Sequence, residues 1–235
     1  MHPVIEAIVA HLPAALTREL EANPFARKER AGWIHCSDLN LYGNRKRIDY
    51  GFCLRQCLGL PVEKSWTAEA VYNIGIGLGI DAVTRLAMEA ATEAGGISLD
   101  TQVPLRDETL RLSGTPDLVW DRWGESIVGD IKSTDRWTLQ KYWGNPDWPL
   151  SRAAFWRQLQ AYLLLLGTDE GVFIAANREG DRETVANALV ARPFYRDEET
   201  IQSIIRDVTM LRDRAVRYEA TEDPRERADL LRFAG

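Results

Sequence analysis

The chain of 235 residues has 45% hydrophobic and 27% charged side chains, near the averages of globular proteins, which points to neither a disordered nor a membrane class and leaves room for a sizeable core. A formal charge of -6 excludes a protein that coats nucleic acid by bulk positive charge, so any such contact needs a local basic patch. Three clustered cysteines are too few for a disulfide framework, no secretion signal is read at the N-terminus, and the longest apolar run, 161–167, is far short of the roughly 20 residues that cross a bilayer. A cytoplasmic protein without a membrane partner is expected.

In chain order, residues 3–21 read as a partly amphipathic helix and 68–94 as a second helix after a glycine-rich start. The period then changes, giving three candidate strands at 97–105, 109–120 and 126–133, separated by plausible turns. An aromatic stretch at 135–150, with two prolines, reads as a loop. A helix at 151–166, strands at 171–177 and 183–192, and a closing helix from about Asp197 follow. In that last helix Ile201, Ile204, Ile205, Val208 and Leu211 form one apolar stripe. No repeat, low-complexity segment or Pro/Gly/Ser-rich linker divides the chain, so a single domain, 1–235, is expected, with a mainly helical part at 1–95 and an α/β core at 96–217.

The chemistry concentrates in GTPDLVWDRWGESIVGDIKST, residues 114–134. Strand alternation puts Val128, Asp130 and Lys132 on one face and Ile127, Gly129 and Ile131 on the other. Across the WDRWGE turn, a hairpin can bring Asp117 beside Asp130. Two carboxylates so close repel unless a cation lies between them. Mg²⁺ suits such a pair, because it takes one or two carboxylates and keeps waters that a phosphate can replace. Lys132 adds a point charge able to orient or acidify an attacking water, a set suited to phosphodiester hydrolysis.

Pro116-Asp117 followed by Asp130-Ile131-Lys132 resembles the signature of the PD-(D/E)xK nuclease superfamily. Gln158-Leu159-Gln160-Ala161-Tyr162 resembles the Q-x-x-x-Y motif of its RecB-like exonuclease branch, with Gln158 and Tyr162 on one helix face. Gly77-Leu78-Gly79-Ile80-Asp81 is similar to that branch's G-x-x-x-H, with Asp81 standing where histidine is usual. The resemblance spans roughly residues 33–217. It implies a restriction-endonuclease-like core, a central mixed β-sheet flanked by helices, and a Mg²⁺- or Mn²⁺-dependent deoxyribonuclease, an exonuclease acting on DNA ends. The implied metal ligands are Asp117, Asp130, the Ile131 carbonyl and Asp81. Lys132 would assist the attacking water, and Gln158 and Tyr162 would position the strand. A module from another class, one that binds or assembles on DNA without cutting it, is the alternative, although the complete acid, acid, lysine set speaks against it.

Arg45, Lys46 and Arg47, with Arg55 nearby, read either as a solvated charge run or as a phosphate-gripping patch. Trp137, Tyr142, Trp143 and Trp148, accompanied by Lys141, Arg152 and Arg157, read either as a platform for unpaired bases or as a cover for the sheet. His35, Cys36, Cys53 and Cys57 are a conceivable metal set but are expected as small buried side chains. No iron–sulfur cluster is expected, because the cluster-bearing relatives place cysteines after the Q-x-x-x-Y helix and here none follows Cys57. The G-x-x-x-x-G-K-[ST] phosphate loop is absent from these residues, so any helicase or recombination partner would be a separate chain.

Overall fold

The computed structural model describes residues 31–40, 48–61, 79, 84–85, 88–89, 98–122, 124–179 and 189–233. The expected helix at 3–21, most of that at 68–94, Arg45, Lys46, Arg47 and Asp81 lie outside them. The described residues form an α/β structure of two mixed sheets flanked by five helices. None of those helices is long and apolar enough to cross a membrane.

The strands are β1 (Ile34–His35), β2 (Ser98–Thr101), β3 (Leu105–Asp107), β4 (Leu112–Gly114), β5 (Leu118–Arg122), β6 (Glu125–Thr134), β7 (Glu170–Asn177) and β8 (Leu189–Tyr195). A small sheet has the order β1-β4-β3, and the main sheet runs β2-β5-β6-β7-β8. Only β1 with β4 and β6 with β7 pair in parallel; the rest are antiparallel. The helices are α1 (Tyr50–Cys57), α2 (Arg136–Thr138), α3 (Trp156–Leu166), α4 (Glu198–Ala220) and α5 (Pro224–Leu230).

Two expected strands each break in two, and the broken pieces go to different sheets. Segment 97–105 divides at Gln102, whose φ of +53° turns the chain out of the main sheet ahead of Pro104. Segment 109–120 divides at Pro116, which has no N–H to offer a ladder. The stretch expected as a loop at 135–150 instead opens with α2, capped by Asp135 on the Thr138 N–H, and continues as a π-helical turn at Leu139–Trp143. The helix expected from 151 starts at Trp156, after a 3₁₀ turn at Leu150–Arg152 and an extended Ala153. The last strand lies later than expected, at Leu189–Tyr195, and residues 183–188 lie outside the described set.

β6 is the central strand of the main sheet, and its two faces meet different neighbours. Val128 joins the larger core with Phe173, Tyr162 and Leu159, whereas Ile131 packs with Leu118 and Ile174 under Met88 and Trp120. On the larger-core side lies α3, buried continuously from Arg157 to Leu163. Gly167, at φ +72°, ends it and returns its N–H to the Leu163 carbonyl at 3.0 Å. Gln160, fully buried on α3, accepts the Asp197 N–H at 2.7 Å and donates to the Tyr195 carbonyl at 2.9 Å, joining the end of β8 to the start of α4. The expected stripe of α4 faces the core at Ile201, Ile204, Val208 and Leu211. At the rim, β8 carries Pro193, and Arg192 donates to the carbonyls of Asn145, Pro146 and Trp148.

Cys36, Cys53 and Cys57 are free and buried. Burial pushes all three thiols up, that of Cys57 to about 11. His35 accepts the Ser37 N–H at 3.3 Å through Nδ1, capping the 3₁₀ turn Cys36–Leu39. In the native protein at pH 8 a disulfide-exchange reagent such as dithionitrobenzoate should therefore label none of the three at an appreciable rate, and all three should react in denaturant; a fast native thiol would contradict this packing.

Asp197 caps α4 by accepting from the Thr200 side chain at 2.6 Å and the Thr200 N–H at 3.3 Å, and these bonds hold its carboxyl below the usual range. A depressed folded value stabilises above the unfolded one and loses that contribution as the pH falls. Asp197→Ala should cost about 1 kcal/mol in urea melts at pH 7, and the gap to the parent should close below about pH 4.

Candidate active site

The register of β5 and β6 decides the geometry. Leu118 faces Gly129 and Val119 faces Val128, so one step further Asp117 falls opposite Asp130. Residues directly opposite in an antiparallel pair share a face, with Cβ atoms about 5 Å apart. The ladder stops there because Pro116 follows. The Asp117 side chain takes over from the missing strand: its Oδ2 accepts the Ile131 N–H at 2.8 Å and its Oδ1 accepts Gln102 Nε2 at 3.0 Å. In an antiparallel ladder, one residue's N–H and C=O point to the same side, so the Ile131 carbonyl also faces the β5 edge.

Asp130 is only 1% exposed, and Lys132, two residues along the same face, places Nζ 2.6 Å from its Oδ2. Burying a carboxylate is costly unless it is paired and hydrogen-bonded, and the ammonium supplies the charge. The same Nζ lies 5.8 Å from the centre of the Phe155 ring. From α3, Gln158 Nε2 approaches Asp130 Oδ1 at 3.5 Å and donates to the Tyr162 hydroxyl at 2.7 Å. Tyr162 donates its own proton to the Thr115 carbonyl at 3.3 Å. Burial, and next the negative charge of Asp130, push the Tyr162 phenol up, so it stays a neutral hydrogen-bonding group.

No group of three or more His, Cys, Asp or Glu gathers among the described residues. Two carboxylates opposed on one face and a backbone carbonyl at the same edge are nonetheless an all-oxygen donor set. That number of carboxylates fits a hard, partly hydrated ion such as Mg²⁺.

The expected basic contacts divide. Arg55 is exposed on α1. Lys141 is exposed, with Nζ 4.2 Å from the centre of the Trp137 ring, itself 59% exposed. Arg157 is a correction: assigned to substrate from its sequence neighbourhood, it is 9% exposed and buried between α3 and α4. Its guanidinium bonds Asp207 Oδ2 at 2.5 Å and Ser203 Oγ at 2.9 Å, while Tyr50 donates to Asp207 Oδ1 at 2.9 Å, so it is committed to packing. The aromatic residues divide as well. Trp143 is buried edge-on against Phe173 and Trp148, covering the sheet, and Trp137 stands outside, edge-on to Tyr142. Three contributors escaped the sequence reading: Gln102, the Thr115 carbonyl, and Asn40, whose Nδ2 donates to Gln158 Oε1 at 2.9 Å. Thr115 adjoins Pro116-Asp117 but offers only its backbone, whereas Asn40 and Gln102 belong to no motif and reach the site only through tertiary pairing.

No family model and no curated protein matches the sequence. Solved structures do. The alkaline exonuclease LHK-Exo from Laribacter hongkongensis superposes with a TM-score of 0.58 at 16% identity, over 87% of this chain and 97% of that one. Its complex with dAMP gives 0.57 at 18%, over 86% and 96%. A phage-related exonuclease from Haemophilus somnus 129PT gives 0.52 at 11%, over 80% and 96%. These likenesses establish the fold: the chain has the α/β architecture seen in these solved structures.

Proposed function

We propose that the protein is a divalent-metal-dependent DNA exonuclease of the RecB-like PD-(D/E)xK type, with its catalytic core at 96–217. The observation that carries this reading is that the Asp117 carboxylate accepts the Ile131 N–H at 2.8 Å, next to Asp130 on β6, with the Lys132 ammonium 2.6 Å from Asp130. The fold shared with alkaline and phage-related exonucleases supports it, and the neighbour bound to dAMP supports a deoxynucleotide product.

Asp117, Asp130 and the Ile131 carbonyl, joined by Asp81, would hold Mg²⁺ or Mn²⁺, which when bound supplies Lewis acidity toward the phosphodiester. Asp117 and Asp130 orient the site through fixed oxygens, because each is already held by donors on the protein. Lys132 keeps a cationic N–H beside the attack position, where it would orient water and offset negative charge growing on the phosphoryl oxygens. Gln158 approaches the Asp130 carboxylate from the helix side and is itself anchored on the Tyr162 hydroxyl; the pair would also position the DNA strand. Lys141, with exposed Trp137 beneath its ammonium, together with Arg55 and the Arg45, Lys46, Arg47 run, would grip phosphates and unpaired bases. In-line hydrolysis would leave a 5′-phosphate and a 3′-hydroxyl.

With Mn²⁺ present, linear DNA should be degraded and a covalently closed circle of the same sequence left intact. Asp117→Ala and Asp130→Ala should each lower the rate on the order of 10³-fold. Cleavage retained by Asp130→Ala in a clean preparation would end the nuclease reading, and a nicked or linearised circle would end its exonuclease part.

A further inference from the structure

We infer that Asn40 is a positioning residue for the proposed nuclease site: it fixes the side-chain amide of Gln158 so that the NH₂ end faces Asp130 and Tyr162. The inference rests on the nuclease reading for its catalytic consequence, but the hydrogen-bond polarity stands by itself.

An ionised carboxylate only accepts hydrogen bonds. The end of Gln158 directed at Asp130 therefore has to be the NH₂, which leaves Oε1 for Asn40, and Asn40 in turn has to present its own NH₂. The contacts follow this order: Asn40 Nδ2 to Gln158 Oε1 at 2.9 Å, then Gln158 Nε2 to Asp130 Oδ1 at 3.5 Å and to the Tyr162 hydroxyl at 2.7 Å. Tyr162 spends its only proton on the Thr115 carbonyl at 3.3 Å, so its oxygen is left to accept from Gln158. Turning either amide over sets oxygen against oxygen at Asp130 or between the two amides. In a buried network, such a mismatch costs more than a missing bond.

Asn40 is itself fixed. It is 7% exposed and closes the 3₁₀ turn Cys36–Leu39 by donating its N–H to the Ser37 carbonyl at 3.5 Å. That turn follows directly on β1, which pairs with β4, and Cys53 Sγ donates to the Asp38 carbonyl at 3.2 Å behind it. The small sheet thus holds Asn40 beside β4, whose next residue supplies the Thr115 carbonyl. Together they set both ends of the Gln158–Tyr162 pair from outside the main sheet.

Asn40→Asp tests this, since it keeps the size and exchanges the donor for an acceptor. Gln158 would then turn its NH₂ toward the new carboxylate and its oxygen toward Asp130. Loss of such an outer partner typically costs 10–100-fold in metal affinity or activity. In Asn40→Asp, kcat on linear DNA and the affinity for Mn²⁺ by calorimetry should each fall at least tenfold with KM within twofold, while Asn40→Ala should lose less. The double variant Asn40→Asp/Gln158→Ala should be no worse than Gln158→Ala alone, an absence of additivity that a merely structural role would not give. In ¹H–¹⁵N spectra of the unsubstituted protein, the Gln158 side-chain NH₂ should be shifted and slow to exchange, and it should move in Asn40→Ala. The inference is overturned by multiplicative losses in the double variant, by full kcat and Mn²⁺ affinity in Asn40→Asp, or by a Gln158 amide that exchanges freely and ignores residue 40. A protein without cleavage overturns the nuclease reading, and the amide spectra then decide the Asn40 polarity by themselves.

Discussion

The whole site depends on the register of one antiparallel pair. Because Leu118 sits opposite Gly129, Asp117 sits opposite Asp130, and because Pro116 comes next, the Ile131 N–H turns to the Asp117 carboxylate for a partner. A slip of one residue would send Asp130 to the far face of β6, among Leu118, Ile131 and Ile174. The apolar content of that face holds the register firmly. Gly129 contributes too: a Cβ there would lie 2.6 Å from the ring of Trp120, which pairs with Ile127 and leans diagonally over position 129, so the bulky ring of β5 requires a glycine there.

Around this pair the two sheets have separate tasks. The main sheet supplies Asp130 and Lys132 from its central strand, where neighbours on both sides restrict movement, and Asp117 from the entrance to the adjoining β5. The small sheet supplies no charged group to the site; it brings the turn bearing Asn40, and the Thr115 carbonyl follows its strand β4. Between them runs α3, buried on every side from Arg157 to Leu163, which explains how one helix can present Gln158 and Tyr162 to the site, Gln160 to β8 and α4, and Arg157 to Asp207. Gly114 marks how closely these layers meet, since a Cβ there would lie 2.7 Å from both Cys36 Sγ and the Tyr162 ring.

Alternation along Val128, Asp130 and Lys132, the hairpin after Asp117 and the i, i+4 pair Gln158 and Tyr162 are local patterns, and local geometry suffices to read them. The strand breaks at Gln102 and Pro116 were harder to read, because a break between sheets and a bend within one strand look alike in sequence; prolines at 104 and 116 were the available signs. Arg157 misled because basic residues near a candidate phosphate site suggest contact with it, whereas its true partners, Ser203 and Asp207, lie a whole helix later in the chain. Asn40 and Gln102 carried no local sign at all. Their roles arise only when segments far apart in sequence are placed side by side. The aromatic stretch yielded both of its candidate readings at once, with Trp143 in the core and Trp137 at the surface.

The rim of the main sheet has a consequence beyond the site. Among the described residues β8 is an outer strand, a place where a second molecule could continue the hydrogen-bond ladder. Pro193 interrupts the row of donors, and the guanidinium of Arg192 is spent on three carbonyls of the 145–148 segment. Molecule-to-molecule β-extension at this border is thereby discouraged.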